Sequence, residues 1–391
     1  MFDDKATYYM RRALDLAERG RGCVEPNPMV GCVILRDGEI VGEGFHERFG
    51  GPHAEVNALR QAGERARGGV VYVTLEPCCH FGKTPPCADA LLAAGVKKVV
   101  VAMQDPFPKV EGGGIQKLRL AGVEVVVGLC RDRAEALNLP YLKLLASRRP
   151  YLTAKWAMTL DGKIASRTGS SRWISSEASR KIAHELRSIS DGILVGVGTV
   201  LADNPQLTVR LPMDCVVPRQ PVRLVADSQL DIPLESALVQ TARQTPVLIL
   251  AGPHAPEEKR RHLEKLGCQI FTAKSDRHEE QLLEFLDFLG EKRMTNVLVE
   301  GGGGLLGQLF DLGQIDALKV FVAPKLVGGA GAISPLCGLG IKQMQDAAEV
   351  VDFRARRVED ANPDSDILIE GRIRYPQISL PDDIAPNVRL A

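Results

Sequence analysis

Val70-Val71-Tyr72-Val73-Thr74-Leu75-Glu76-Pro77-Cys78 and, after eight intervening residues, Cys87-Ala88-Asp89-Ala90-Leu91-Leu92-Ala93-Ala94-Gly95 decide how this chain folds. The first stretch is a short apolar, β-branched run ended by Glu-Pro, which reads as a buried strand. The second is an Ala/Leu-rich helix stopped by Gly95, and Val99 to Ala102 reads as the next strand. Working outward, Met10, Ala13, Leu14 and Ala17 recur at helical spacing. Val30 to Leu35 and Ile40 to Phe45 flank an Asp37-Gly38 hairpin turn. A short helix from about His53, a helix ending near Gly122, a strand Val123 to Val127 and one helix Arg131 to Leu145 complete the pattern. Strands alternating with helices at this spacing predict a layered α/β sheet.

Ser147-Arg148-Arg149-Pro150 is a short basic segment with a proline, and it marks a domain boundary. The expected division is 1–147, 151–375 and a proline-spaced tail 376–391. Beyond the boundary the alternation restarts. Strands are expected at Tyr151 to Ala157, Gly192 to Val195, Val222 to Ala226, Val247 to Leu250 and Asn296 to Val299. Helices are expected at Glu177 to Ile189, Pro256 to Leu266 and His278 to Leu289.

The chemistry of the first half is carried by His53-Ala54-Glu55, Cys78 and Cys87. One imidazole and two thiolates hold Zn²⁺ with its fourth position open. Cys78 falls at the carboxyl end of a strand, and Cys87 and His53 each open a helix, where a thiol pKa falls. Glu55, not needed as a ligand, is placed to shuttle protons. This grouping is the mark of zinc deaminases acting on nucleobase-like rings, although the two cysteines usually have only two residues between them, where here there are eight. A structural zinc site is the competing reading, with Cys79 or His80 as its fourth ligand; we expect neither to reach the metal.

The 391 residues carry 49 Lys+Arg and 49 Asp+Glu, with 45% hydrophobic and 5% aromatic residues. A neutral chain poor in aromatics lacks the basic, aromatic-interleaved surface that strand-binding deaminases need, so no nucleic-acid partner is expected. No apolar run approaches the roughly 20 residues of a membrane span, and the acidic start is unlike a signal peptide. Nine scattered cysteines favour reduced thiols and a cytoplasmic setting. Cys23, Cys32, Cys130, Cys215, Cys268 and Cys337 are expected as small buried hydrophobes.

The long interval Cys78-Cys79-His80-Phe81-Gly82-Lys83-Thr84-Pro85-Pro86-Cys87 resembles the deaminase of bacterial riboflavin biosynthesis, as do Pro26-Asn27-Pro28-Met29-Val30-Gly31 and Gly50 to Glu55. The resemblance implies a cytidine-deaminase-like α/β/α sandwich, one Zn²⁺ per chain, and loss of ammonia from a phosphorylated diaminopyrimidinone. Lys83 and Thr84 would meet the phosphate, and Asn27 and His46 the ring and ribose.

In the second half, Asn296 to Val299 runs into Glu300-Gly301-Gly302-Gly303-Gly304-Leu305-Leu306-Gly307-Gln308, a strand, glycines and a helix start suited to a phosphate. The Rossmann spacing is met, but no acid follows about 20 residues on, so another dinucleotide fold is expected. Lys155-Trp156-Ala157-Met158-Thr159-Leu160-Asp161-Gly162-Lys163, Ser171 to Ser175 and Gly198 to Arg210 are similar to the reductase half of the same bifunctional family. That similarity implies a dihydrofolate-reductase-like α/β domain using NADPH. Ala157, Trp173, Thr199, Asp203, Ser228 and the loop Gly302, Gly303, Gly304, Leu305, Leu306, Gly307, Gln308 would hold the cofactor. Ser171, Arg187, Leu207, Arg210 and Glu300 would hold the substrate, and Lys155 and Asp203 would assist hydride transfer. The expected protein is a homo-oligomer acting on phosphorylated pyrimidines. Its rival is a deaminase whose second domain only binds.

Overall fold

The computed structural model describes residues 4–80, 85–108, 110–211, 219–359 and 361–376. Lys83, Thr84 and Cys215 lie outside the described residues. The chain divides into two compact units, one running through Tyr151 with Leu286–Thr295 added, the other made of Leu152–Phe285 and the residues from Asn296 on.

The first unit contains α1 (Asp4–Glu18), β1 (Gly31–Arg36), β2 (Glu39–Phe45), α2 (Ala54–Ala62), β3 (Val70–Leu75), α3 (Cys87–Ala93), β4 (Lys98–Met103), α4 (Gly113–Leu120), β5 (Glu124–Val127), α5 (Arg131–Leu137) and α6 (Leu139–Ser147). Its sheet runs β2-β1-β3-β4-β5, with β3, β4 and β5 parallel and β1 antiparallel to both neighbours. Successive side chains of a strand point to opposite faces, and here both faces are apolar. Val33, Leu35, Tyr72, Val100 and Ala102 pack with Met10, Leu14 and Leu137 of α1 and α5. Cys32, Ile34, Val71, Val73, Val99 and Val101 pack with α2, α3 and α4 through Ala54, Ala58, Leu91 and Leu118. The result is a three-layer α/β/α sandwich. Gly44 lets α2 lie close on β2, since a Cβ there would stand 2.4 Å from the Ala58 nitrogen.

The expected single helix over Arg131 to Leu145 is two helices meeting at Asn138. Pro140 has no N–H for the helical ladder. The Asn138 side chain is instead used to clasp Met29, accepting from its N–H at 2.8 Å and donating to its carbonyl at 3.0 Å.

The second unit contains β6 (Tyr151–Thr159), α7 (Glu177–Ser188), β7 (Gly192–Gly196), α8 (Val197–Asp203), β8 (Val222–Ala226), α9 (Ala237–Gln240), β9 (Val247–Ala251), α10 (Glu257–Lys265), β10 (Gln269–Thr272), the first part of α11 (His278–Glu291, counted with the first unit from Leu286 on), β11 (Asn296–Val299), α12 (Gly303–Asp311), β12 (Ala317–Ala323), β13 (Glu349–Arg357) and β14 (Ile367–Arg374). Its nine strands run β10-β9-β8-β7-β11-β6-β12-β14-β13. The pairs from β10 through to β11 are parallel, as is β6 with β12, whereas β14 is antiparallel to both β12 and β13. Ile193, Val195, Val225 and Ile249 pack with Leu238 of α9 and Leu263 of α10.

The closing hairpin β13–β14 was not anticipated from the pattern. β13 is an edge strand exposed along nearly its whole length, so Glu349, Asp352, Arg354, Arg356 and Arg357 replace the apolar alternation that would announce it. Cys337 also departs from expectation. It is exposed rather than buried, on a segment laid against the glycines of α12.

Candidate functional site

The first site lies where α2, β3 and α3 converge. His53 is the N-cap of α2 with extended backbone, Cys78 follows the carboxyl end of β3, and Cys87 is the first residue of α3. Pro52 and Pro86, which cannot extend a helix backward, precede two of these positions. His53 Nδ1 stands 3.2 Å from Cys87 Sγ and 3.6 Å from Cys78 Sγ. All three ligand atoms lie within 4.8 Å of one another. Tetrahedral N and S ligands of one zinc ion stand about 3.5 Å apart, so the set fits Zn²⁺. Among the described residues this cluster contains neither Cys79 nor His80. Zn²⁺ bound there supplies a water acidified toward neutrality as nucleophile.

Electrostatics match that use. The Cys87 backbone N–H donates to Cys78 Sγ at 3.3 Å. Hydrogen bonding from Cys87 pulls the Cys78 thiol down to about 4, assisted by His53, and pushes Cys87 up in return. Glu55, 3% exposed, is raised to about 7 by burial and by the Cys78 charge. A carboxyl poised there exchanges protons readily at neutral pH.

Asn27 and His46 are brought to the same place. His46 Nδ1 lies 3.0 Å from the Pro52 carbonyl and donates to it, which leaves Nε2 to accept from Asn27 Nδ2 at 3.2 Å. Burial lowers the His46 pKa, in keeping with a neutral ring, and that ring stands edge-on to His53 at 5.3 Å.

The second site is built on the carboxyl ends of β7, β8 and β11, followed by α8 with Thr199, by Ser228 and by Glu300. Arg187 of α7 grips Glu300 bidentately, at 2.6 and 2.9 Å, and donates to the Thr208 carbonyl at 3.1 Å. Lys155 of β6 reaches Glu300 at 3.7 Å. Burial alone would raise Glu300, but Arg187 and Lys155 outweigh it and hold the carboxyl at about 2. His184, which reasoning from sequence passed over, accepts from the Arg210 N–H at 3.2 Å. Burial, then Arg187 and Arg210, lower it to about 4.

Ser171 donates to Asp203 at 3.4 Å, Thr199 Oγ1 accepts from the Gly302 N–H at 3.0 Å, and Ser228 donates to Gln281 at 2.6 Å. Trp173 is largely exposed with the Arg180 guanidinium 4.5 Å above its ring, while Leu207 is buried. Ala157 shares β6 with Lys155, and Arg210 is exposed.

The glycine loop divides its labour. A Cβ at Gly304 would meet nothing within 4 Å, and α12 starts without a side-chain cap, so its N–H groups are open to a phosphate. At Gly303 and Gly307 a Cβ would collide with Ser334 and Cys337 backbone at 2.4 Å. At those two positions chain packing also requires glycine. Leu305 and Leu306 are buried, so only their backbones are available, whereas Gln308 is exposed. The open start of α12 beside Thr199 fits a dinucleotide phosphate, and the cofactor bound there would supply hydride.

A His–Cys–Cys metal set with a buried glutamate on an α/β/α sandwich defines a zinc-dependent deaminase of the cytidine-deaminase-like fold, here followed by a dihydrofolate-reductase-like unit. Residues 3–103 match the family described as "Cytidine and deoxycytidylate deaminase zinc-binding region", and residues 150–364 match "RibD C-terminal domain". The riboflavin biosynthesis protein RibD of Aquifex aeolicus is 44% identical over 91% of this chain and 96% of its own. A structure of Acinetobacter baumannii RibD superimposes with a TM-score of 0.81 at 37% identity, covering 95% and 99% of the two chains. That of a diaminohydroxyphosphoribosylaminopyrimidine deaminase/5-amino-6-(5-phosphoribosylamino)uracil reductase from Thermotoga maritima gives 0.79 at 34%, with the same coverage. The chain belongs to the RibD family of riboflavin biosynthesis proteins, bifunctional enzymes that join a zinc-dependent deaminase to an NADPH-dependent reductase. With both domain families present, the bifunctional reading stands over that of a deaminase with a non-catalytic partner domain.

Proposed function

We propose that residues 1–147 release ammonia from 2,5-diamino-6-(5-phosphoribosylamino)pyrimidin-4(3H)-one, and that residues 151–375 reduce the ribosyl group of 5-amino-6-(5-phosphoribosylamino)uracil to ribityl, with 376–391 as a tail. The observation that carries the first assignment is the convergence of His53, Cys78 and Cys87 next to buried Glu55. His53, Cys78 and Cys87 hold zinc. Glu55 takes one proton of the attacking water and hands it to a ring nitrogen, then takes the proton of the added hydroxyl as the C=O bond forms and hands it to the amino group, which leaves as ammonia when its C–N bond breaks. Asn27 and His46 orient the ring and ribose, and Lys83 and Thr84 meet the phosphate.

In the reductase, Ala157, Trp173, Thr199, Asp203, Ser228 and the Gly302–Gln308 loop hold NADPH. Ser171, Arg187, Leu207, Arg210 and Glu300 hold the substrate. Three of the five Arg187 N–H groups are engaged within the protein, which leaves two for a phosphate. Lys155 and Asp203 assist as hydride reaches the sugar carbon and its ring opens. The enzyme works in the cytoplasm on small phosphorylated pyrimidines without nucleic acid; no helix among the described residues is long and apolar enough to cross a membrane. The same reading makes the protein a homo-oligomer.

Ammonia release and NADPH oxidation, followed together on the diaminopyrimidinone phosphate, test this reading. Both signals are expected in sequence. Ammonia without NADPH oxidation overturns the second assignment, and no ammonia overturns the first.

A further inference from the structure

Glu76 is a buried carboxylate, 4% exposed, that takes no part in the chemistry described above. It accepts four backbone N–H groups, Oε1 from Gly114 at 3.0 Å and Ile115 at 3.1 Å, Oε2 from Gly112 at 3.0 Å and Asp105 at 3.2 Å. All four belong to the single segment that leads from β4 into α4. Four donors match the acceptor capacity of an ionised carboxylate, and they offset the cost of burying its charge.

The same segment is secured at its other end. Asp105 Oδ1 accepts from the Phe107 N–H at 3.0 Å and from the Tyr141 hydroxyl at 2.9 Å. It is also pressed onto the stretch after β3 that carries Cys78. A Cβ at Gly114 would stand 1.9 Å from the Pro77 carbonyl oxygen, and one at Gly113 would stand 2.8 Å from Cys79 Sγ. At the tip, the half-buried Phe107 ring packs against His80, with centroids 6.1 Å apart. Glu76 therefore ties Phe107 and His80 to the backbone that carries Cys78.

We infer that Glu76 is a positioning residue for deamination: by holding Asp105 and the Gly112 to Ile115 turn it latches the backbone on either side so that Phe107, packed on His80, forms one wall of the deaminase site. The inference rests on the first site being a deaminase, which ammonia release by the unaltered protein establishes independently.

The test uses the full chain loaded with zinc. Glu76→Gln keeps the shape but turns one acceptor oxygen into an NH₂ facing two N–H donors. Expected are a KM for deamination about tenfold higher with a smaller change in kcat, in line with the loss of a charge-assisted hydrogen bond. Amide exchange over 105–115 should accelerate, zinc should stay at one per chain, and reduction of the uracil intermediate should be unchanged. Phe107→Ala should reproduce the KM rise while the Gly112 to Ile115 amides remain protected; this change at a half-buried position keeps the test decisive if Glu76→Gln does not fold. A wild-type KM in Phe107→Ala, or in Glu76→Gln despite faster exchange, overturns the proposal. So does zinc loss with a lowered kcat at unchanged KM, which would make Glu76 a support for Cys78 alone.

Discussion

Arg187 and Glu300, 113 residues apart in the chain, form a two-pronged ion pair with Nε to Oε1 at 2.6 Å and Nη2 to Oε2 at 2.9 Å. Their side chains are only 13% and 9% exposed. Removing one partner of such a buried pair strands the other charge at a cost of about 3–5 kcal/mol. Glu300→Ala should therefore lower the thermal midpoint and abolish NADPH oxidation while much of the ammonia release survives below that midpoint. Calorimetry with the two coupled assays checks this; an unchanged midpoint would show that the pair contributes nothing.

Glu55→Gln separates zinc binding from proton transfer. Zinc content should stay at one per chain, since Glu55 supplies none of the three clustered ligand atoms. Ammonia release should fall by roughly 10²–10⁴, the usual contribution of a positioned acid–base group. Reduction of separately supplied uracil intermediate should continue at the parental rate. Metal analysis beside both assays reads the result.

In protein stripped of metal, Glu55 makes stability depend on pH with a definite sign. Its folded value, about 7, lies above the ordinary carboxyl value of 4.5 because burial and Cys78 disfavour the charge. The folded chain then binds more protons than the unfolded chain between those values. The contribution is present below pH 4.5 and lost as pH rises through 7, amounting to about 3 kcal/mol. Urea unfolding at pH 4 and pH 8 should show Glu55→Gln gaining on its parent at the higher pH. A gap that does not change with pH would refute the sign.

Gly304 and Gly307 should answer alanine substitution in opposite ways. Nothing stands within 4 Å of a Cβ at Gly304, so Gly304→Ala should leave stability nearly unchanged and raise KM for NADPH by crowding the phosphate. At Gly307 a Cβ would meet the Cys337 backbone at 2.4 Å. Overpacking of that kind costs about 1–3 kcal/mol, so Gly307→Ala should destabilise the protein. Denaturant midpoints and NADPH titrations distinguish the two.

Much of this protein was legible in short spacings. His53, Glu55, Cys78 and Cys87 announce their chemistry because helix starts and strand ends are local events, set by proline, glycine and pleat periodicity within a few residues. The two-faced apolar strands Val70–Leu75 and Lys98–Met103 likewise determine a layered sheet wherever they sit. Partnership and burial, by contrast, are properties of distant segments brought together. Nothing near Asn138 in sequence says that it clasps Met29. Nor does anything near Glu76 say that it gathers four amides from a segment some 30 to 40 residues on. Nothing near Gly303 and Gly307 in sequence says that Ser334 and Cys337 lie against them. Side-chain type and spacing determined which chemistry was available; only tertiary packing decided which polar groups were already spent on one another and which were left to meet a ligand.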